Sequence, residues 1–253
     1  AVDTFLSVAA RINSNEIILH DFFSGESVNP HTDEDIITRA RNIKKKNTVS
    51  LESEFNVGGR EIERLLKTGR NLVMVESNHH EFLYRWLRKG EFKRDPVNFQ
   101  AACKLADKMV DGSNPLVEGF RLYGQIPDFD NLLATGRIKF LERDEDYKFA
   151  GIQLGAHGDI GCNGHRKPSK AGLEKAYGSA VVGHSHTPGI LRNIYQVGTS
   201  SKLRMDYNKG SSSWVHTSCV VYENSHRQLI NCIKGEWCLD EKAKKVAKGR
   251  PRQ

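Results

Sequence analysis

Four times along this 253-residue chain a short apolar run stops on an imidazole, a carboxylate or a carboxamide. "EIILHDFF" (16–23) contains His20-Asp21, and "NLVMVES" (71–77) leads into Asn78-His79-His80. "KFAGIQLGAHGD" (148–159) reaches His157, and "SAVVGHSHTPG" (179–189) carries His184 and His186. Such runs, near-continuous in apolar residues, read as buried parallel strands. Helical patterns lie between them, so the chain predicts an α/β fold. In open α/β sheets, ligands bind outside the carboxyl ends of the strands. Four polar strand ends in one sheet would gather these residues into one crevice, although they are far apart in sequence.

The intervening pattern is consistent with that reading. Residues 2–12 read as a helix. "TDEDIITRARNIKKK" reads as another, capped by Thr32 and closed by Lys44, Lys45 and Lys46, cations suited to a helix C-terminus. "GREIERLLKTG" is a helix stopped by Gly69, and two more are expected over 81–89 and 96–111, the second starting from Asp95-Pro96. "RIKFLE", "NIYQVGTS", "SWVHTSCVVYEN" and "RQLINCIKG" read as strands, the last two joined by a hairpin at Asn224-Ser225, and a short helix follows Ser169.

Composition narrows the setting. The five cysteines form no C-x-x-C pair and are odd in number, which suits free thiols in a reducing compartment rather than a disulfide framework or a zinc ribbon. No apolar run approaches the ~20 residues of a membrane span, and no signal peptide opens the chain. The expected location is therefore cytoplasmic, without a membrane partner. Much of the +7 charge lies in the tail from Glu241, with six basic residues against one acid, leaving a nearly balanced remainder. The chain thus divides into a domain over 1–239 and a basic, disordered tail over 240–253. Aromatics make up 8% and form no run among basic residues that would mark a stacking platform for single strands.

The polar strand ends carry the chemistry. Imidazole, carboxylate and carboxamide donors suit Mn, Fe or Zn. The set is too large for one tetrahedral site with an open position. It suits two divalent ions bridged by a carboxylate, clamping the oxygens of a phosphoryl transfer, and an i, i+2 histidine pair can send one ring to each ion. Singly, each residue has a plainer reading: a satisfied histidine, a turn-forming Asn78, an N-capping Asp21. The conjunction is what points to a site.

The order "HD…SNHH…GAHGD…GHSH" resembles the calcineurin-like metallophosphoesterases. The resemblance runs from residue 16 to about 200, and implies a two-sheet β-sandwich flanked by helices with a dinuclear centre, Mn foremost and Fe, Zn or Mg as alternatives. It implies that Asp21 bridges the ions, that Asn78, His157 and His184 complete one metal site, and that His186 binds the other ion. His79 would be the catalytic histidine beside the scissile phosphate, stabilising charge or protonating the leaving oxygen. The context "HGDIGCNGHRKPSKAGL…GHSHTPGI…YQVGTSSKLRMDYNKGSSSWVHT" looks like the phage-encoded nucleases of this family, including the type that degrades host DNA early in infection. That implies DNA as partner and the host cytoplasm as location. Arg166, Lys167 and Lys170, shortly after a candidate ligand, are placed for phosphate contacts; the plainer reading of that loop is a solvated polar turn.

The departures matter equally. The family's first D-x-H block is absent, so the expected fold lacks its first strand, and an upstream part of the same protein is expected to complete the second metal site. His20 and Ser77 stand where the family prefers glycine. His80 replaces the acid that can orient the catalytic histidine, and Asp159 is the candidate substitute. The leading expectation is a metal-dependent DNA phosphodiesterase, exo- or endonucleolytic; a nucleotide or phosphoprotein phosphatase and a catalytically incomplete DNA-binding module are the alternatives, and a homo-oligomer remains open. A metallo-β-lactamase pattern fails because Thr187-Pro188 follows the His-x-His pair, and no G-x-x-x-x-G-K loop supports an ATPase.

Overall fold

A computed structural model of the chain describes residues 2–29, 37, 40–41, 50–143, 145–204 and 210–239. The basic tail lies outside the described residues, as does most of the helix expected from Thr32, of which Ile37, Ala40 and Arg41 are described and helical. The chain divides into two compact units, a terminal unit (Ala1–Ser14 with Leu141–Gln253) and a middle unit (Asn15–Phe140). The span expected as one domain over 1–239 is thus shared between them. The fold is mixed α/β.

Helix α1 (Val2–Ile12) opens the terminal unit. The middle unit then begins with strand β1 (Glu16–His20) and continues through α2 (Leu51–Leu66), β2 (Asn71–Val75), α3 (His80–Lys89), α4 (Phe99–Val110), α5 (Pro115–Tyr123), α6 (Phe129–Ala134) and β3 (Ile138–Phe140). Its three strands are all parallel, in the order β1-β2-β3, with Ile18 opposite Val73 and Val73 opposite Lys139. Central β2 is buried from Leu72 to Val75, as its apolar run predicts. β1 departs from expectation. It ends at His20, and every residue in it is only half-buried; among the described residues it pairs with β2 alone, at the edge of the sheet.

Helix α2 starts eight residues before the expected Gly59. Ser50 caps it by accepting from the Ser53 amide, and the Leu51 amide donates to Asn98 Oδ1 at 2.7 Å. Asp95-Pro96 does not open α4; the Asp95 carboxylate instead accepts from the Val97 amide and the Asn98 side chain, and Asn98 occupies the cap position. Phe55 of α2 anchors the core, stacked on Phe23 at 4.9 Å and edge-on to Phe120 of α5 at 5.1 Å. Here α2 and α5 approach so closely that a Cβ on Gly59 would stand 1.8 Å from the Gly124 carbonyl oxygen. Gly59→Ala gains about 0.5–1 kcal/mol of helix preference, but its methyl meets backbone rather than a flexible side chain. Overpacking of about 1–3 kcal/mol should dominate. Urea denaturation is expected to show a lower midpoint for this variant.

Among the described residues the terminal unit holds two sheets. The five-stranded one runs β4 (Lys148–Phe149), β5 (Ile152–Gln153), β6 (Ala180–Val182), β8 (Ile194–Gln196), β7 (Gly189–Leu191), with β5-β6 and β6-β8 parallel and the outer pairs antiparallel. The run read as one strand over 148–159 is in fact a hairpin: Ala150 and Gly151 both take positive φ and fold β4 back on β5. Helix α7 (Lys170–Tyr177), capped by Ser169, packs Leu173 against Ala180, Val182 and Ile194. The second sheet is the expected hairpin of β9 (Thr217–Val221) and β10 (Arg227–Asn231). Val8 of α1 is buried against its Val220 and Ile230, and Trp237 Nε1 donates to Ser7 Oγ. The five cysteines are free thiols, and burial pushes the Cys219 thiol up to about 12. Among the described residues, no helix is long and apolar enough to cross a membrane.

Candidate functional site

Each unit brings its share of the sequence-predicted residues past the carboxyl ends of parallel strands. In the middle unit, Asp21 follows β1 directly in a left-handed conformation (φ 58), which turns the chain off the sheet edge. Its Oδ1 accepts a hydrogen bond from Ser77 Oγ at 2.6 Å and lies 3.4 Å from His79 Nδ1. Asn78 and His79 form the turn between β2 and α3, with His79 at the N-cap position and its ring stacked on Phe82 at 5.3 Å. Asp21 and His79 keep 12% and 29% side-chain exposure, so the pair is sheltered yet reachable.

The loop after β1 is held close to that turn. Gly25 has φ +63, and a Cβ there would sit 2.9 Å from the His79 carbonyl oxygen, so glycine alone suits both the conformation and the gap. Buried Glu54 of α2 then gathers the loop, accepting from the hydroxyls of Ser24 and Ser27 and from the amides of Glu26 and Ser27.

His80 is not an orienter of His79. It is buried, and its Nδ1 faces the Ser77 amide at 3.2 Å while Nε2 faces the Phe23 amide at 3.4 Å. A neutral imidazole accepts on one nitrogen only, and the shorter contact is to Ser77. His80 therefore pins the β2 turn through Ser77 and lies beside the Phe23 ring, 6.4 Å between centroids, and the carboxylate facing His79 is that of Asp21.

His20, the last residue of β1, is half-buried as a residue but its ring Nδ1 is shielded from solvent, and this burial lowers its pKa to about 4, against the opposing pull of the Asp21 charge. Its unfolded value is 6.5, so the folded chain resists protonating it. Stability from this group is complete above pH 6.5 and is lost as the pH falls through about 4, a change of about 3 kcal/mol at most. Denaturant titrations of the wild type should slope downward between those values, and His20→Gln should flatten the slope.

In the terminal unit, buried His157 follows β5 and His184 follows β6. The His157 carbonyl accepts from the amides of Gly183 and His184, which locks the two loops together. His184 Nδ1 then faces His157 Nε2 at 3.3 Å, with the rings edge-on. His186 has φ 57 and lies edge-on to Trp214 at 4.5 Å. Gln196 of β8 steadies this loop, its amide nitrogen donating to Ser185 Oγ and the Thr187 carbonyl. Asp159 is buried and engaged by Arg143, an ion pair on its own unit. Arg166 and Lys167 are exposed on the loop after it, where the Lys167 amide donates to the Asp159 carbonyl at 2.8 Å. Lys170 opens α7 and lies over Gly189, at the far end of the His-x-His loop.

The donor chemistry fits a divalent ion. Two ligand nitrogens ~2.0–2.1 Å from a tetrahedral ion stand about 3.3–3.4 Å apart, and His157 and His184 are 3.3 Å apart. In the middle unit, taken by itself, the Asp21 carboxylate is held in place by Ser77. Within the described residues no group of three or more His, Cys, Asp or Glu side chains is arranged to hold a metal.

Sequence reading missed Ser77, Gln196, Arg143 and Trp214 as residues that shape these loops. Ser77 stood out only as a departure from glycine. The other three leave no signal, because their partners lie 9 to 28 positions away along the chain.

The chain is similar to Protein A1 of Escherichia phage T5, 33% identical over 193 residues, which cover 71% of this chain and 32% of that protein. It therefore spans about a third of the length of this phage relative. No family model matches the chain, and no solved structure matches it.

Proposed function

We propose that the chain is the metallophosphoesterase-type catalytic part of a phage protein, a metal-dependent phosphodiesterase that cleaves DNA. The observation that carries this reading is the pair of polar clusters past parallel strand ends: Asp21 with Ser77 and His79, and His157 with His184 at ligand-edge spacing. Asp21, Asn78, His157, His184 and His186 would hold two divalent ions, with Mn foremost. Bound there, the ions supply an activated water and charge stabilisation at phosphorus. His79 donates a proton to the leaving oxygen from the Nε2 side, while Asp21, facing Nδ1, fixes the direction of the ring. Ser77 holds the carboxylate so that one oxygen serves His79. Lys170, over Gly189, and exposed Arg166 and Lys167 meet backbone phosphates.

The test is incubation with linear and closed-circular duplex DNA in Mn²⁺, with EDTA and His79→Ala controls. Loss of linear DNA that both controls abolish supports the reading, and the circular substrate separates exo- from endonucleolytic action. Intact DNA alongside turnover of a phosphomonoester would overturn it in favour of a phosphatase. DNA binding without turnover of any ester would overturn it in favour of a binding module.

A further inference from the structure

Beside the His-x-His loop the terminal unit has a groove of about 610 Å³, lined by Leu203, Trp214, Val215, His216, Ile233 and Lys234, among others. That volume lies in the range of sites that enclose a small organic group. One wall is Trp214, the residue whose ring meets His186 edge-on at 4.5 Å, so the groove begins where the candidate ligand loop ends. The segment after it is fixed: the Thr199 amide donates to the Val215 carbonyl and the Cys232 amide to the His216 carbonyl, so the indole is carried next to paired backbone. Among the described residues, the groove's other lining groups are apolar side chains, an imidazole and one cation, with no acid.

We infer that this groove is a nucleobase subsite: Trp214 stacks a base of a DNA strand whose neighbouring phosphate lies at His186, and Lys234 contacts the backbone beyond it. The inference rests on the DNA reading above and specifies how the strand is held. An aromatic face beside a cation, without an acid, is the pairing by which proteins bind unpaired bases regardless of sequence, since every base presents a π-face. An isolated phosphomonoester would have no use for the indole.

The test separates holding from cleavage. Binding of a fluorescein-labelled oligothymidylate and of an abasic oligomer of equal length is measured by anisotropy in EDTA, where no hydrolysis occurs. The wild type should prefer the base-bearing strand by about 5- to 100-fold. Trp214→Ala and Trp214→Leu, the latter keeping apolar bulk without a stacking face, should both lose that preference, and Trp214→Phe should keep most of it. Lys234→Ala should weaken both oligomers alike. A wild type that binds neither oligomer, or treats them equally, overturns the subsite, as does a preference that survives in both Trp214→Ala and Trp214→Leu. A base preference that depends on Trp214 in a chain that leaves DNA intact would uphold the subsite and sink the nuclease reading alone.

Discussion

Replacing His79 by alanine is expected to lower kcat on DNA by about 10²–10⁴-fold, the usual worth of a positioned general acid. The argument is geometric. His79 sits at the turn between β2 and α3 with Nδ1 3.4 Å from the Asp21 carboxylate and its face on Phe82, so its other nitrogen is presented in a fixed direction. A deoxyribose alkoxide is a poor leaving group and needs that proton, whereas p-nitrophenolate does not. The same variant should therefore lose less than about tenfold on bis(p-nitrophenyl) phosphate. An equal loss on both substrates would place His79 in charge stabilisation at phosphorus. No loss on either would remove it from the mechanism.

The two groups of residues were legible in the sequence to very different depths. Strands β2 and β6 were readable because they are buried on both faces and so tolerate only apolar side chains. The residues that follow them, Asn78-His79 and His184-x-His186, stand out against that background. β1 was readable as a strand but not as an edge, since an edge strand of a parallel sheet can be as apolar as a central one. The β4-β5 hairpin was hidden because Ala150-Gly151 is a weak turn signal inside an apolar run. Helix α5 was missed although Asn114-Pro115 marks its start, with the Asn114 side chain accepting from the Leu116 and Val117 amides. That signal was present and simply outweighed by its polar surroundings.

The supporting contacts were not legible in principle. The motif resemblance separates His79 from His80, but nothing in the sequence shows that His80 is buried while the His79 side chain stays partly exposed. The difference arises because helix α3 starts at His80, so successive side chains point about a third of a turn apart. Trp214 likewise meets His186 only through the pairing of 198–199 with 215–217. A ring contact built from distant segments in this way leaves no local run of aromatics in the sequence.

Asp21→Asn and His184→Ala are each expected to abolish at least about 10³-fold of DNA hydrolysis, and the double variant should be no worse than the poorer single one. Asp21→Asn is the gentler probe, since asparagine keeps an oxygen to accept from Ser77 Oγ and removes only the charge. His184→Ala deletes one of the two facing imidazoles while leaving its backbone amide on the His157 carbonyl. Residues that act as one unit in a reaction are grossly non-additive, because once either is lost the remaining one has nothing to act upon. Independent sites would instead multiply, giving a double variant about 10⁶-fold down. Thermal melts of all three variants, matching the wild type, would assign the losses to chemistry rather than folding. Saturation with Mn²⁺ is the last arm: a single variant rescued by excess metal has lost affinity for the ion, and one that stays inactive at saturation has lost the arrangement that makes the bound ion useful.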